Sequence, residues 1–199
     1  MPHSIDSIDV RADVTDAAGF GEPLSTAATV TLPDPVGFAR TSPPVVCFGF
    51  PGGGYGRRYF TFDMPNSSGG GQAGWHAARG WVFVGCDHLF VGDSDTPSDP
   101  GQLTFDTVAA ANAATVAHVL SLLADGKVAD SFPAVRDPVV LGIGQSMGGC
   151  FTIVQQGRHA TYDGIGVLGF SALQTTLAFP PGAPEGTDAF TARGDGLPL

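Results

Sequence analysis

Pro138-Val139-Val140-Leu141-Gly142-Ile143 runs directly into Gly144-Gln145-Ser146-Met147-Gly148, and the segment from Met147 to His159 reads as helix. The apolar run has the character of a buried strand, so the serine sits at a strand-to-helix corner with a glycine two residues to either side. A corner this tight strains the serine backbone, and only small neighbours avoid colliding with it. The same geometry lifts the hydroxyl clear of the sheet and aims the first helical amides at whatever the hydroxyl meets. G-x-S-x-G alone is a weak pattern in a chain with 29 glycines among 199 residues. The strand before it and the helix after it make it informative, as a nucleophile elbow.

Outward from that corner, Val45 to Phe50, Trp81 to Cys86 and Ile165 to Phe170 are further short, continuous apolar runs. Such runs read as strands covered on both faces, which means a parallel sheet. Helical segments separate them. The clearest spans Thr104 to Ala124, where Val108, Asn112, Thr115, Val119 and Leu123 fall at spacings of three and four, and Gly126 follows as terminator. Gln72 to Ala78 reads as a shorter helix. Nearer the N-terminus, Ile8, Val10, Ala12 and Val14 alternate with Asp9, Arg11 and Asp13, the period of a half-buried strand, and Ala27 to Leu32 forms another. Strand–helix–strand repetition predicts an α/β doubly wound sheet with right-handed crossovers. Residues 1–174 make up this core. Residues 175–199 form a Pro/Gly-rich tail that reads as loop.

A chain of 199 residues is long enough for one domain with a real core. Its net charge of −10 repels phosphates and argues against nucleic acid and anionic membrane surfaces as partners. The start Met1-Pro2-His3-Ser4-Ile5-Asp6 has neither a basic segment nor an apolar core, so no signal peptide is expected. No uninterrupted apolar run approaches the length of a membrane span, and cytoplasm is the default location. Cys47, Cys86 and Cys150 fall in or beside core elements as small hydrophobes and lack metal-ligand spacing. No metal and no cofactor are expected.

Three stretches, in order, resemble the α/β-hydrolase family over roughly Val45 to Ala172. Pro51-Gly52-Gly53-Gly54-Tyr55, after the strand ending at Phe50, looks like the family's glycine-rich oxyanion loop. Acyl transfer builds negative charge on a carbonyl oxygen, and backbone amides must come within hydrogen-bond range of it. The resemblance gives Gly53 and Gly54 as donors, completed by the amide of Met147. Taken alone, a glycine triplet after a strand is equally a flexible turn. Cys86-Asp87-His88-Leu89-Phe90-Val91-Gly92-Asp93-Ser94-Asp95 is similar to the family's Asp-x-x-Gly-x-Gly-x-Ser segment, with Phe90 in place of the first glycine, and shapes the pocket wall. The third stretch is the elbow, where Gln145 takes a place often held by histidine. The resemblance implies an α/β-hydrolase-type, mostly parallel sheet with N-terminal antiparallel strands, of the serine esterase or lipase type. Ser146 is then the nucleophile, and Tyr55 and Gln145 contact a small-molecule ester. Tyr55, Phe60, Phe62 and Phe90 suggest an apolar pocket for it. A bland alternative for Ser146, a serine that caps a helix, stands beside this one.

A serine hydroxyl is a poor nucleophile at neutral pH; a histidine must take its proton and an acid must orient that histidine. The family supplies them in the order Ser, then Asp or Glu, then His. After Ser146 the chain has one histidine, His159, at the far end of the elbow helix. His76 and His118 read as structural, and His88 alone belongs to the correct edge of the sheet, with no acid placed to orient it. Glu185, Asp188 and Asp195 lie in the turn-rich tail and read as solvated charges. The expectation is that the chain stops inside a lid, before the acid and the histidine, and is at most a weak hydrolase by itself. The strand Ile165 to Phe170 would then be an open edge, inviting self-association or a completing polypeptide. One rival is a non-catalytic relative acting as a binding or assembly module. Another, a nucleotide-binding domain, fails because Pro51-Gly52-Gly53-Gly54-Tyr55-Gly56 lacks the Gly-Lys-Ser/Thr ending of a phosphate loop.

Overall fold

A computed structural model describes residues 6–39, 42–64 and 69–171. The tail at 175–199, with Glu185, Asp188 and Asp195 and the expected lid, lies outside the described residues. Strands β1 (Asp6–Asp13), β2 (Ser25–Leu32), β3 (Val45–Phe50), β4 (Val82–Cys86), β5 (Val139–Gln145) and β6 (Gly164–Leu168) form one sheet in the order β1-β2-β4-β3-β5-β6. β1 pairs antiparallel with β2, and β2 antiparallel with β4. β4, β3, β5 and β6 run parallel. The helices are α1 (Thr15–Ala18), α2 (Pro35–Phe38), α3 (Gly71–Ala77), α4 (Phe105–Ala124) and α5 (Met147–His159).

Alternation along the central strands sorts their side chains onto two faces. Val46, Phe48 and Phe50 of β3 and Val82 and Val84 of β4 meet Val116, Val119 and Leu123 of α4 on one side. Cys47 and Phe83 point to the other, where Phe60 and Ala73 of α3 receive them. Each fully buried Phe contributes about 1.5–3 kcal/mol relative to exposure. The expectation of double coverage holds for β3 and β4, whose residues are buried almost throughout. It fails for β5 and β6, which are largely half-buried, with Ile165 and Leu168 exposed. α5 packs on these two strands, but among the described residues no helix covers their opposite face.

α4 starts where Thr104 accepts the N–H of Thr107 through its hydroxyl, with Asp106 in the first turn, and Gly126 follows at φ 66°. By length and a mean hydropathy of 1.5 it also meets the requirement for a membrane span, contrary to the expectation from uninterrupted runs. Its setting explains the composition: Val108, Ala109, Ala111, Asn112, Thr115, Val116, Val119 and Leu123 are buried, and the helix packs on β1, β2, α1 and α5. α1 and α2 were not anticipated, because single turns carry no periodicity. The second is set locally, by the Asp34 side chain accepting from the amides of Val36 and Gly37 ahead of Pro35.

Candidate active site

Register brings three loops together. Phe50 at the end of β3 pairs with Gly144 of β5, and Gly49 pairs with Gly85 of β4. The residues that follow, Pro51-Gly52, Asp87-His88 and Gln145-Ser146, therefore leave the sheet side by side at its carboxyl edge.

Ser146 occupies φ 52° and ψ −119°, a positive-φ conformation that an L-residue adopts at a cost of order 1–3 kcal/mol. Both glycines of the corner are required. A Cβ on Gly144 would strike the carbonyl of Gly148 and the Thr152 hydroxyl, and one on Gly148 would strike the carbonyls of Phe50 and Pro51. The Ser146 amide donates to the Leu168 carbonyl at 2.7 Å. Its hydroxyl makes no capping bond to α5, which removes the helix-cap reading.

Gly52 backs onto the corner: a Cβ there would meet the Gln145 side chain and come within 3.2 Å of the Ser146 Cβ. The Tyr55 amide donates to the Gly52 carbonyl at 3.1 Å, closing a turn with Gly53 and Gly54 in its middle, the latter at φ 84°. Only a residue tolerant of positive φ fits there. The glycine triplet is thus an ordered turn. Among the described residues the amides of Gly53, Gly54 and Met147 donate to no acceptor. All three residues line one cavity of about 720 Å³, whose wall also includes His88, Leu89, Phe90, Phe105, Val108 and Phe151. Ser146 adjoins this cavity without lining it.

Tyr55 and Gln145 are not among the lining residues. Tyr55 is exposed, its ring 5.9 Å from that of Tyr59, and Gln145 is tucked beside Gly52 with its Oε1 buried. The aromatic set also needs correction. A 3-10 turn at Arg57–Phe60 carries Phe60 into the core against Phe83, at 5.4 Å, and Phe62 is exposed and does not line the cavity. Only Phe90 remains of the four; Phe105 and Phe151, from α4 and α5, complete the wall.

The segment after β4 is a structural clamp. The buried Asp87 carboxylate accepts from the Arg57 amide and guanidinium, and from the Asp93 amide at 2.9 Å. Burial alone would lower the affinity of Arg57 for its proton, but its bonds to Asp93 and Asp87 outweigh this and raise its pKa. Gly92, at φ 60°, leaves room for the Asp87 carboxylate that a Cβ would fill. Phe90, which stands where the resemblance expects glycine, takes φ 70° and hangs half-exposed over the cavity.

His88 is buried, with Nε2 3.1 Å from the Pro51 carbonyl oxygen and Nδ1 facing the Asn112 amide. Burial holds its pKa below the ordinary imidazole value, against a smaller opposing effect of these bonds. Both ring nitrogens are engaged, so His88 is not free to serve Ser146 as a base. The three cysteines are free thiols, Cys47 and Cys86 buried and Cys150 half-buried. Among the described residues no three His, Cys, Asp or Glu side chains gather to hold a metal ion.

No protein-family model matches the sequence, and no curated protein matches it. Solved structures do. An α/β hydrolase from Novosphingobium aromaticivorans aligns over 79% of this chain and 41% of its own, with a TM-score of 0.51 and 18% identity. The α/β hydrolase GrgF from Penicillium sp. sh18 aligns over 81% of this chain and 45% of its own, with a TM-score of 0.51 and 14% identity. An epoxide hydrolase, VrEH1 from Vigna radiata, aligns over 83% of this chain and 38% of its own, with a TM-score of 0.52 and 10% identity. This chain has the α/β-hydrolase fold. It spans less than half the length of each of these structures.

Within the α/β-hydrolase fold the elbow and the glycine turn stand together, but no described imidazole reaches the serine. His159 lies 13 residues along α5 from Ser146, roughly 20 Å at ~1.5 Å per residue. His76, in the last turn of α3, is stacked on Trp81 and Phe83, at 5.0 and 5.2 Å. His118 lies half-buried in the second half of α4.

Proposed function

We propose that this chain is a serine hydrolase of carboxylic esters that works through an acyl-enzyme on Ser146. The observation that carries this reading is the hydroxyl of Ser146, unused as a helix cap, beside a cavity lined by three residues with unbonded amides. Ser146 Oγ attacks the ester carbonyl, and the oxygen that becomes anionic is met by the amides of Gly53, Gly54 and Met147. The carbon–oxygen bond to the alcohol then breaks, and the alcohol leaves with the proton. Water hydrolyses the acyl-enzyme, releasing the acid and restoring the hydroxyl. Phe90, Phe105 and Phe151 favour an apolar acyl or alcohol group, and the cavity volume suits a small molecule.

Acylation needs a base, and none of the described histidines is placed to act as one. In subtilisin, loss of the catalytic histidine costs about a millionfold in kcat, equivalent to ~8 kcal/mol. The amides and binding alone leave about 10³–10⁴ over water. The chain by itself therefore turns over an activated aryl ester slowly, through an acyl adduct on Ser146 that mass spectrometry detects. Ser146→Ala removes the adduct. Turnover unchanged by that substitution overturns the reading; rapid stoichiometric labelling of Ser146 by a fluorophosphonate overturns the claim that the base is missing. The engaged nitrogens of His88 favour a second reading, a non-catalytic binding module. Among the described residues no strand pairs with the outer edge of β6, and we infer that a second copy or another polypeptide adds to the sheet there.

A further inference from the structure

We propose that His88 and Asn112 are positioning residues that hold the glycine turn in the orientation its amides need, an inference that rests on the serine-hydrolase reading above. The chain buries His88, at 4% exposure, between the rings of Phe50 and Phe151, with the buried Asn112, at 1%, against its Nδ1. Apolar residues of similar shape would pack there without a desolvation cost, so the polar pair is explained by what it binds. That target is the carbonyl of Pro51, the first residue of the turn segment.

A carbonyl oxygen carries no hydrogen, so in the 3.1 Å contact His88 Nε2 must be the donor. A neutral ring with its hydrogen on Nε2 has a lone pair on Nδ1, and the Asn112 Nδ2 amide donates to it at 3.0 Å. The alternative contact, Nδ1 to Asn112 Oδ1 at 3.3 Å, would need a second ring hydrogen and hence a buried charge. The Pro51 carbonyl thus requires the Nε2–H tautomer, and the Asn112 amide satisfies the nitrogen that this tautomer leaves bare.

The peptide plane transmits the hold. With the Pro51 oxygen turned to His88, the Gly52 N–H must point the opposite way. The Gly52 carbonyl then takes the Tyr55 amide at 3.1 Å, which fixes the two middle residues of the turn, Gly53 and Gly54. Both are exposed glycines with no side chain to hold them, and glycine has the widest conformational freedom of any residue. The neighbouring restraint is steric only: Gly148 leaves room for the Pro51 carbonyl but donates nothing to it. His88 supplies the directional bond.

The test uses the whole chain and a simple aryl boronic acid. Addition forms a boron–oxygen bond to Ser146 Oγ, the hydroxyl proton passes to solvent, and boron keeps both its hydroxyls while gaining the negative charge that the amides meet. His88→Phe keeps the stacking on Phe50 but loses both hydrogen bonds; His88→Gln keeps an N–H donor for Pro51. The expected result is a boronate affinity about 10- to 100-fold weaker in His88→Phe and largely recovered in His88→Gln. Exchange of the Tyr55 amide, whose N–H closes the turn on the Gly52 carbonyl, should rise in the first variant and not in the second. Equal boronate affinity and unchanged exchange in His88→Phe would overturn the proposal, as would equal losses in both variants. Nitrogen NMR of the unmodified chain tests it without any variant: an Nε2–H tautomer supports it, and an Nδ1–H tautomer sinks it. Should the boronate fail to bind the unmodified chain, the hydrolase reading falls, while exchange and tautomer still decide whether His88 orders the turn.

Discussion

Position 148 has no room for a methyl group, and the atoms that exclude it are backbone carbonyls of Phe50 and Pro51, which cannot rotate aside. Gly148→Ala should therefore cost about 1–3 kcal/mol through displacement of α5 from β3. Gly157 lies nine residues nearer the end of the same helix, and a Cβ there would meet nothing within 4 Å. Gly157→Ala should gain about 0.5–1 kcal/mol through the unfolded chain's lost freedom. Calorimetry reads both, since each kcal/mol moves the melting temperature of a domain this size by roughly 2–4 °C. Opposite shifts are the expected outcome; equal ones would mean that the corner yields. Residues of this kind were legible in the sequence because the glycine spacing falls between an apolar run and a helical segment, which together define the elbow. The aromatic wall was not. Phe60 lies close in sequence to the glycine turn yet faces the far side of the sheet, while Phe105 and Phe151 reach the cavity from helices distant in sequence.

The loops after β3 and β4 are tied by Arg57, which bonds Asp87 and reaches Asp93 at 2.7 Å and the Thr29 hydroxyl at 2.8 Å. Arg57→Met strands the Asp87 carboxylate, which has almost no exposure, without its cation. A loss of about 3–5 kcal/mol is expected. The exposed pair of Arg11 and Asp95 is the control: Arg11→Met should cost no more than about 1 kcal/mol. Urea unfolding of both variants distinguishes them, and similar midpoints would refute the assignment of Arg57 as the tie. At this scale the long elements were readable from their apolar runs, with β3 and α5 delimited as expected. The clamp was recognised only as a structural segment. Its partner Arg57 lies 30 residues away from Asp87, and no local pattern joins them.

For the molecule as a whole, two buried imidazoles set a dependence on acidity. Burial lowers the pKa of both His76 and His88, with Arg79 adding to the effect at His76. The unfolded chain takes up these protons first as pH falls, so the native state is fully favoured above about pH 6.5 and loses stability below it. The melting temperature should drop between pH 6.5 and 5, and His76→Phe should flatten part of that drop while keeping the stack on Trp81 and Phe83. An unaltered slope in the variant would assign the effect elsewhere. The parallel centre of the sheet was legible because doubly covered strands are apolar throughout. Partial exposure of β5 and β6 was not, since an apolar run reads the same whether one face is clad or two.

The Leu168 carbonyl that accepts the Ser146 amide belongs to the last residue of β6, an edge strand of the sheet among the described residues. The perch of the hydroxyl is consequently hinged on the sheet's margin. Whatever docks along that margin acquires a lever: stiffening the strand steadies the reacting oxygen, and peeling it away lets the oxygen swing.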